Sequence, residues 1–222
     1  MPKELLTAGR TTTILTYKSE GSVLSSYLKK LDVQVEVAND NQLEEAFRKK
    51  AAELITIKDI PALSRLSLSH SGQLAGMSNS NYRRTIVNAL KNLRGRQMKD
   101  VPAENILITC AKDGWYKDGN EKVAGPFASG SKLFQGANWL PKVTRGTNKY
   151  AHCSHLIYLY DQHMNPYVAQ WLEDNSRAFD DAYALTELVQ WVWRSRVRRG
   201  QPITLYLPNP RMRQLMEEWL SD

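Results

Sequence analysis

Four arginines stand within six residues in Arg194-Ser-Arg-Val-Arg-Arg199. A guanidinium is permanently charged and donates in a fork that matches phosphate oxygens, so such a run suits phosphate chemistry. Gln190, Arg194 and Arg198 are spaced four apart, and a helix over 181–198 puts all three on one face. Leu185, Leu188, Val189 and Val192 fall on the other side and can pack on a sheet. An arginine that reaches a γ-phosphate across a domain interface stabilises charge developing during phosphoryl transfer. The same pattern also fits a solvated basic helix, with Arg196 and Arg199 adding to it.

Other segments carry weaker signals. Arg145-Gly146-Thr147-Asn148 is a turn in which Gly146 permits positive φ and Thr147 and Asn148 can cap the next element. It is expected at the C-terminal end of a strand, where parallel sheets place ligands. Ser69-His70-Ser71-Gly72 and Thr16-Tyr17-Lys18-Ser19 each come directly after a strand-like run, so His70, Ser71, Lys18 and Ser19 are candidate contacts to a nucleic-acid backbone. Between 112 and 143, Lys112, Lys117 and Lys132 alternate with Trp115, Tyr116 and Phe127, a mixture that suits stacking on single-stranded bases. Those aromatics folded inward as a satellite core is the competing expectation.

Two constellations are declined. His152-Cys153-Ser154-His155 has no second ligand cluster at zinc spacing. Asp161-Gln162-His163 lacks a second acid and any upstream Gly-x-x-x-x-Gly-Lys-[Ser/Thr] loop, so it is a turn rather than a magnesium box. No metal site is expected.

The elements that position these residues alternate. Strands are expected at 11–16, 33–37, 63–69, 106–110, 155–160 and 203–207. Helices are expected at 22–31, 42–55, 81–94, 166–172, 181–198 and 211–220. Alternation implies crossovers and a mainly parallel α/β sheet of about six strands with helices on both faces. One domain over 1–222 is expected, with an insertion at about 112–143 that has no evident periodicity. The net charge of +7 favours a polyanionic partner. Cys110 and Cys153 sit in apolar runs and are expected as buried thiols of a reducing compartment. No apolar stretch reaches the ~18 residues of a membrane span, so a cytoplasmic protein without membrane contact is expected.

Taken in order, these pieces resemble the C-terminal RecA-like domain of a superfamily-two, DEAD-like helicase. Thr12 to Ser19 with the helix at 22–31 is similar to the family's fourth motif. Leu66 to Gly72, with Arg83-Arg84 after it, resembles the strand and helix that come next. Ile106 to Cys110 looks like the strand into the fifth motif, Arg145 to Asn148 like its turn, and His155 to Pro166 like the next strand and loop. Gln190 to Gly200 stands where the sixth motif should be, and 181–219 is also similar to helicase-like proteins of phages and mobile elements. The family's Gln-x-x-Gly-Arg-x-Gly-Arg has Trp193 and Arg196 in place of its glycines and Val197 in place of its last arginine. Only Gln190 and Arg194 match directly, with Arg198 one residue late.

The resemblance implies a second motor domain that grips nucleic acid, DNA more than RNA, with Lys18, Ser19, His70, Ser71, Arg145 and Thr147 as candidate contacts; the lysine–aromatic pattern of the insertion adds Lys112, Trp115 and Tyr116. It implies Gly146, Asn148 and Gln190 at an ATP interface, with Arg194 and Arg198 as arginine fingers. ATP and Mg2+ would be held only together with an N-terminal RecA-like motor domain, in cis or in trans, and not by this chain alone. The rival expectation is a stand-alone, non-catalytic derivative that binds nucleic acid or protein.

Overall fold

In the computed structural model the described residues are 3–4, 8–9, 11–13, 22–36, 41–118, 120–129, 134–144 and 146–221. The strands are β1 (Ile55–Lys58), β2 (Ile106–Thr109), β3 (Tyr116–Lys117), β4 (Asn120–Ala124), β5 (Asn138–Trp139), β6 (His155–Tyr158) and β7 (Ile203–Tyr206). The helices are α1 (Val23–Lys30), α2 (Asn41–Leu54), α3 (His70–Gly76), α4 (Ser80–Gln97), α5 (Lys112–Trp115), α6 (Pro126–Ser129), α7 (Pro166–Leu172), α8 (Arg177–Val192) and α9 (Pro210–Ser221). Five strands form one sheet in the order β1-β7-β6-β2-β5, and all four pairings are parallel. The short β3–β4 hairpin stands apart as a second sheet.

Helices cover both faces. Leu107, Leu156, Tyr158 and Leu205 point to one side, where Leu188, Trp191 and Val192 of α8 and Met212, Met216 and Trp219 of α9 pack on them with Ala51 of α2. Ile106, Ile108, Ile157 and Leu159 point to the other, against Ile86, Leu90 and Leu93 of α4. Successive strand residues face opposite sides, so central strands covered twice must be apolar throughout. Ile106-Leu-Ile108 of β2 and Leu156-Ile-Tyr158 of β6 are buried in this way, while His155 at the start of β6 is half-buried.

Several expectations change. The expected strand at 63–69 is a 3-10 turn at Pro61–Leu63 leading to the start of α3. Its serines serve the backbone instead: Ser64 Oγ donates to Pro61 O, and Ser69 Oγ accepts from Gly72 N as the cap of α3. Serine offers such local bonds readily, which competes with a ladder. Residues 11–13 and 33–36 are not strand, and the remainder of the runs 11–16 and 33–37 lies outside the described residues. In their place β1 forms at Ile55–Lys58, directly after α2, where helical periodicity absorbs Ile55. The region 112–143 is not a featureless insertion, because it supplies α5, the hairpin, α6 and the edge strand β5.

The chain leaves β2 toward β5 and leaves β6 toward β7, so the order reverses between β2 and β6. Open parallel sheets bind ligands at the C-terminal ends of such a pair. Here that crevice is closed by Gln73 of α3, which is fully buried. Its Nε2 donates to Leu159 O and Leu68 O, and its Oε1 accepts from Ala111 N at 2.8 Å. Gln73→Ala strands three buried backbone partners, each worth roughly 1–3 kcal/mol when unsatisfied. Urea unfolding should show a loss of at least about 2 kcal/mol. A variant as stable as the wild type would remove Gln73 as the closing element.

Candidate functional site

Every helix that crosses back over a parallel sheet ends at the N-terminal edge. Ser176 caps α8 by accepting from Phe179 N, and the helix runs back to Val192. Ser195, fully buried, stops it there: its Oγ donates to Val192 O and accepts from Val197 N. Arg196–Arg199 then form a separate 3-10 turn that ends on Gly200 with φ +71°. The single helical face expected for Gln190, Arg194 and Arg198 is therefore corrected: Gln190 belongs to α8, Arg194 comes after its last residue, and Arg198 belongs to the next turn.

Arg198 nevertheless meets a predicted partner. Its Nη1 donates to Asn148 Oδ1 in the loop before β6. That loop is shaped by Gly146 at φ +70° and by Thr147 Oγ1, which accepts from Lys149 N. Arg196 N donates to Cys153 O, tying the turn to the same loop. Asn148 and Arg198 thus meet where the chain leads into β6 and β7, opposite to the C-terminal position expected for this loop. Arg145 lies outside the described residues, as do Lys18 and Ser19.

The C-terminal edge is organised differently. Arg211, at the start of α9, donates to Asp161, Asp180, Asp181 and Gln162 O at 2.7–3.0 Å. His163 bridges Asp180 (2.7 Å) and Asp161 (3.1 Å). Burial raises the Asp161 carboxyl, but bonds from His163 and Arg211 outweigh it and hold the group below its ordinary 3.8. The bond to Asp161 outweighs burial at His163 and, with that to Asp180, holds the imidazole above 6.5. Three acids meet two strong cations, since Arg177 also reaches Asp181, so a protonated His163 balances the cluster. Asp161-Gln162-His163 is irregular chain after β6 rather than the expected turn, and its charges are engaged internally. Among the described residues no group of three or more His, Cys, Asp and Glu side chains is placed to hold a metal ion. His70 and Ser71, in the first turn of α3, are exposed at this edge, and Lys112 at the start of α5 pairs with Glu121 at 3.3 Å.

Residues 48–220 match the model of the family described as YonV C-terminal Rossmann-like domain. The chain belongs to this family. A stretch of 79 residues, 35% of the chain, is 37% identical to the SPbeta prophage-derived uncharacterized protein YonV of Bacillus subtilis (strain 168), of which it spans 19%. No solved structure matches. Among the described residues no helix is long and apolar enough to cross a membrane.

Within this YonV C-terminal domain Trp115, Phe127 and Phe134 join the core between the sheet and α4, with Tyr116 and Trp139 packed against it, so Trp115 and Phe127 are not the exposed stacking residues expected from the sequence. Trp115 is 4% exposed and meets Phe134 edge-on, with ring centroids 6.1 Å apart. Half-buried Tyr116 does the same with Trp139 at 5.5 Å. Phe127 is buried against Gly114, where a Cβ would come within 2.5 Å of its ring. Both cysteines are free and buried, as expected, and burial pushes the Cys153 thiol up to about 12. No local pattern announces Gln73 or Arg211, because hubs of this kind depend on groups distant in the chain.

Trp115→Ala should cost about 3–5 kcal/mol of stability and leave the affinity of the folded protein for single strands unchanged. A folded variant that loses that affinity would return Trp115 to the binding surface. The His163 bridge has a definite pH sign. A raised folded pKa contributes stability that is complete below the unfolded value of about 6.5 and fades as pH rises through the folded value. Asp161 contributes above 3.8 and loses its contribution as pH falls through its lowered value. The thermal midpoint of the wild type, relative to His163→Gln, should therefore drop as pH rises above the unfolded value of about 6.5. A constant difference would show that the bridge does not titrate.

Proposed function

We propose that this Rossmann-like domain is the second motor domain of an ATP-dependent nucleic-acid helicase or translocase, working with an N-terminal motor half in cis or in trans. One observation carries the reading: Arg198, in the turn that follows α8, is hydrogen-bonded to Asn148, fifty residues away in the chain. Side chains that meet across such a separation are held by the fold rather than by local sequence. Arg194, half-buried at the end of α8, would donate to γ-phosphate oxygens presented by the partner domain. Arg198, oriented by Asn148, would add a second guanidinium, with Gln190 and Gly146 lining the contact. ATP and Mg2+ come with the partner's phosphate loop and supply the transferable phosphoryl group. What these arginines contribute is charge fixed in position before the reaction. The similarity to a prophage-derived protein fits a mobile-element motor of this kind.

A second reading, a non-catalytic nucleic-acid- or protein-binding derivative, is favoured by Gln73, which fills the crevice where an open parallel sheet would take a ligand of its own. Turnover separates the two. The chain alone should not hydrolyse ATP. With the N-terminal motor domain and nucleic acid added, Arg194→Ala should lower turnover by about 10³–10⁵, with a far smaller change in nucleic-acid affinity. Weakened nucleic-acid binding with turnover intact would contradict the finger role, and no turnover in any combination would favour the derivative.

A further inference from the structure

Among the described residues, β1 and part of β7 are covered on one face only. In β1, Ile55 and Ile57 turn to the α2–α9 side, leaving Thr56 and Lys58 exposed on the other. The partners of Thr56 and Lys58 in β7 are Thr204 and Tyr206, and the partner of Thr204 in β6 is His155. Thr204 and His155 are half-buried, and the His155 ring lies over Tyr206 with centroids 6.5 Å apart. α4 covers β2 and β6 but draws away from β1. Beyond the end of β1, a cleft of about 160 Å³ separates the segment 59–62 from Ala89, Asn92, Leu93, Arg96 and Gln97 of α4.

Cations rim this face. Arg94 comes from the last turn of α4, Arg196 from the turn before β7, and Lys58 from β1. Burial lowers the His155 pKa, and Arg196, Lys58 and Arg94 lower it further, with no carboxylate acting against them. The nearby Asp59 is engaged by Arg213 at 2.6 Å. Arg196 fixes its Nε on Pro202 O, which leaves its terminal nitrogens to point elsewhere, and it makes no ion pair among the described residues. A lysine on an edge strand also deters strand pairing, but that does not account for Arg196. The hydroxyls of Thr56 and Thr204 between Lys58 and Arg196 suit phosphodiester oxygens.

We propose that the uncovered sheet face formed by Thr56, Lys58, Thr204 and His155, rimmed by Arg94 and Arg196, binds the phosphodiester backbone of a nucleic-acid strand. The proposal rests on the nucleic-acid reading of this domain and names the surface that holds the strand, distinct from the Arg194–Arg198–Asn148 group.

The test uses the full chain without ATP and a fluorescent 20-nucleotide single-stranded DNA, with affinity read at about 50 mM and about 200 mM salt. Lys58→Gln and Arg196→Gln should each reduce the slope of log affinity against log salt by about 0.7, and together they should weaken binding at least several-fold. The Lys58 side chain makes no hydrogen bond or ion pair among the described residues, so its variant reports on binding even if Arg196→Gln disturbs the fold. In parallel, NMR titration should show the His155 pKa rising when DNA is bound, as phosphate offsets the three cations. No measurable binding by the wild-type chain, an unchanged slope in Lys58→Gln, or an unmoved His155 would overturn the proposal. Self-association that shifts His155 without DNA would assign the face to a second copy and overturn it equally. None of these outcomes depends on turnover with an added motor half, so the two readings fail separately.

Discussion

A chain that forms parallel neighbours must return to the edge from which it started. That constraint decides where every functional group of this domain lies. α8 leaves the C-terminal edge after β6 and delivers Arg194 to the N-terminal edge, and the turn that prepares β7 adds Arg196 and Arg198. α4 makes the same return and brings Arg94 there. The loop from β5 to β6 makes it without a helix and sets Asn148 against Arg198. A basic edge is thus a product of topology acting on where arginines fall at the ends of crossovers.

The two edges differ in how their polar groups are satisfied. At the C-terminal edge Gln73 spans three backbone groups and Arg211 saturates three aspartates. Such pairs cost desolvation and stabilise little unless complete, and here every donor nitrogen of Arg211 has an acceptor. At the N-terminal edge Arg198 leans on a neutral amide and Arg196 on a carbonyl. Neither bond neutralises charge, so the guanidiniums keep their full attraction for an anion.

Much of this is legible in the residues. Apolar runs at 106–110, 155–160 and 203–207 announce strands buried on both faces, and helical periodicity locates α1, α2, α4, α7 and α9 to within a few residues. β1 is hidden because Ile55-Thr-Ile-Lys58 adjoins α2 with no turn residue between them, and alternation over four residues is too short to break a helical pattern. The serines of 63–69 imitate strand alternation while capping a helix. The end of α8 escapes a reading of the spacing because Ser195 ends it by bonding its own backbone, which no run of arginines reveals. The pairing of Arg198 with Asn148 needs the fold, although each residue alone is already a candidate. The Trp115 and Phe127 rings are ambiguous between stacking and core, and only packing decides between them.

The central claim is that anions meet this domain at its N-terminal edge. Inorganic tripolyphosphate carries the charge shared by nucleotides and nucleic-acid backbones without their other contacts. Its titration, monitored by NMR of arginine Nε and histidine side chains together with the backbone amides, tests the claim most directly. The expected result is that Arg194, Arg196, Arg198, His155 and the amides around Asn148 shift together, while Gln73, His70 and Lys112 stay still. Shifts centred on His70 and Lys112, with the arginine edge unmoved, would contradict it.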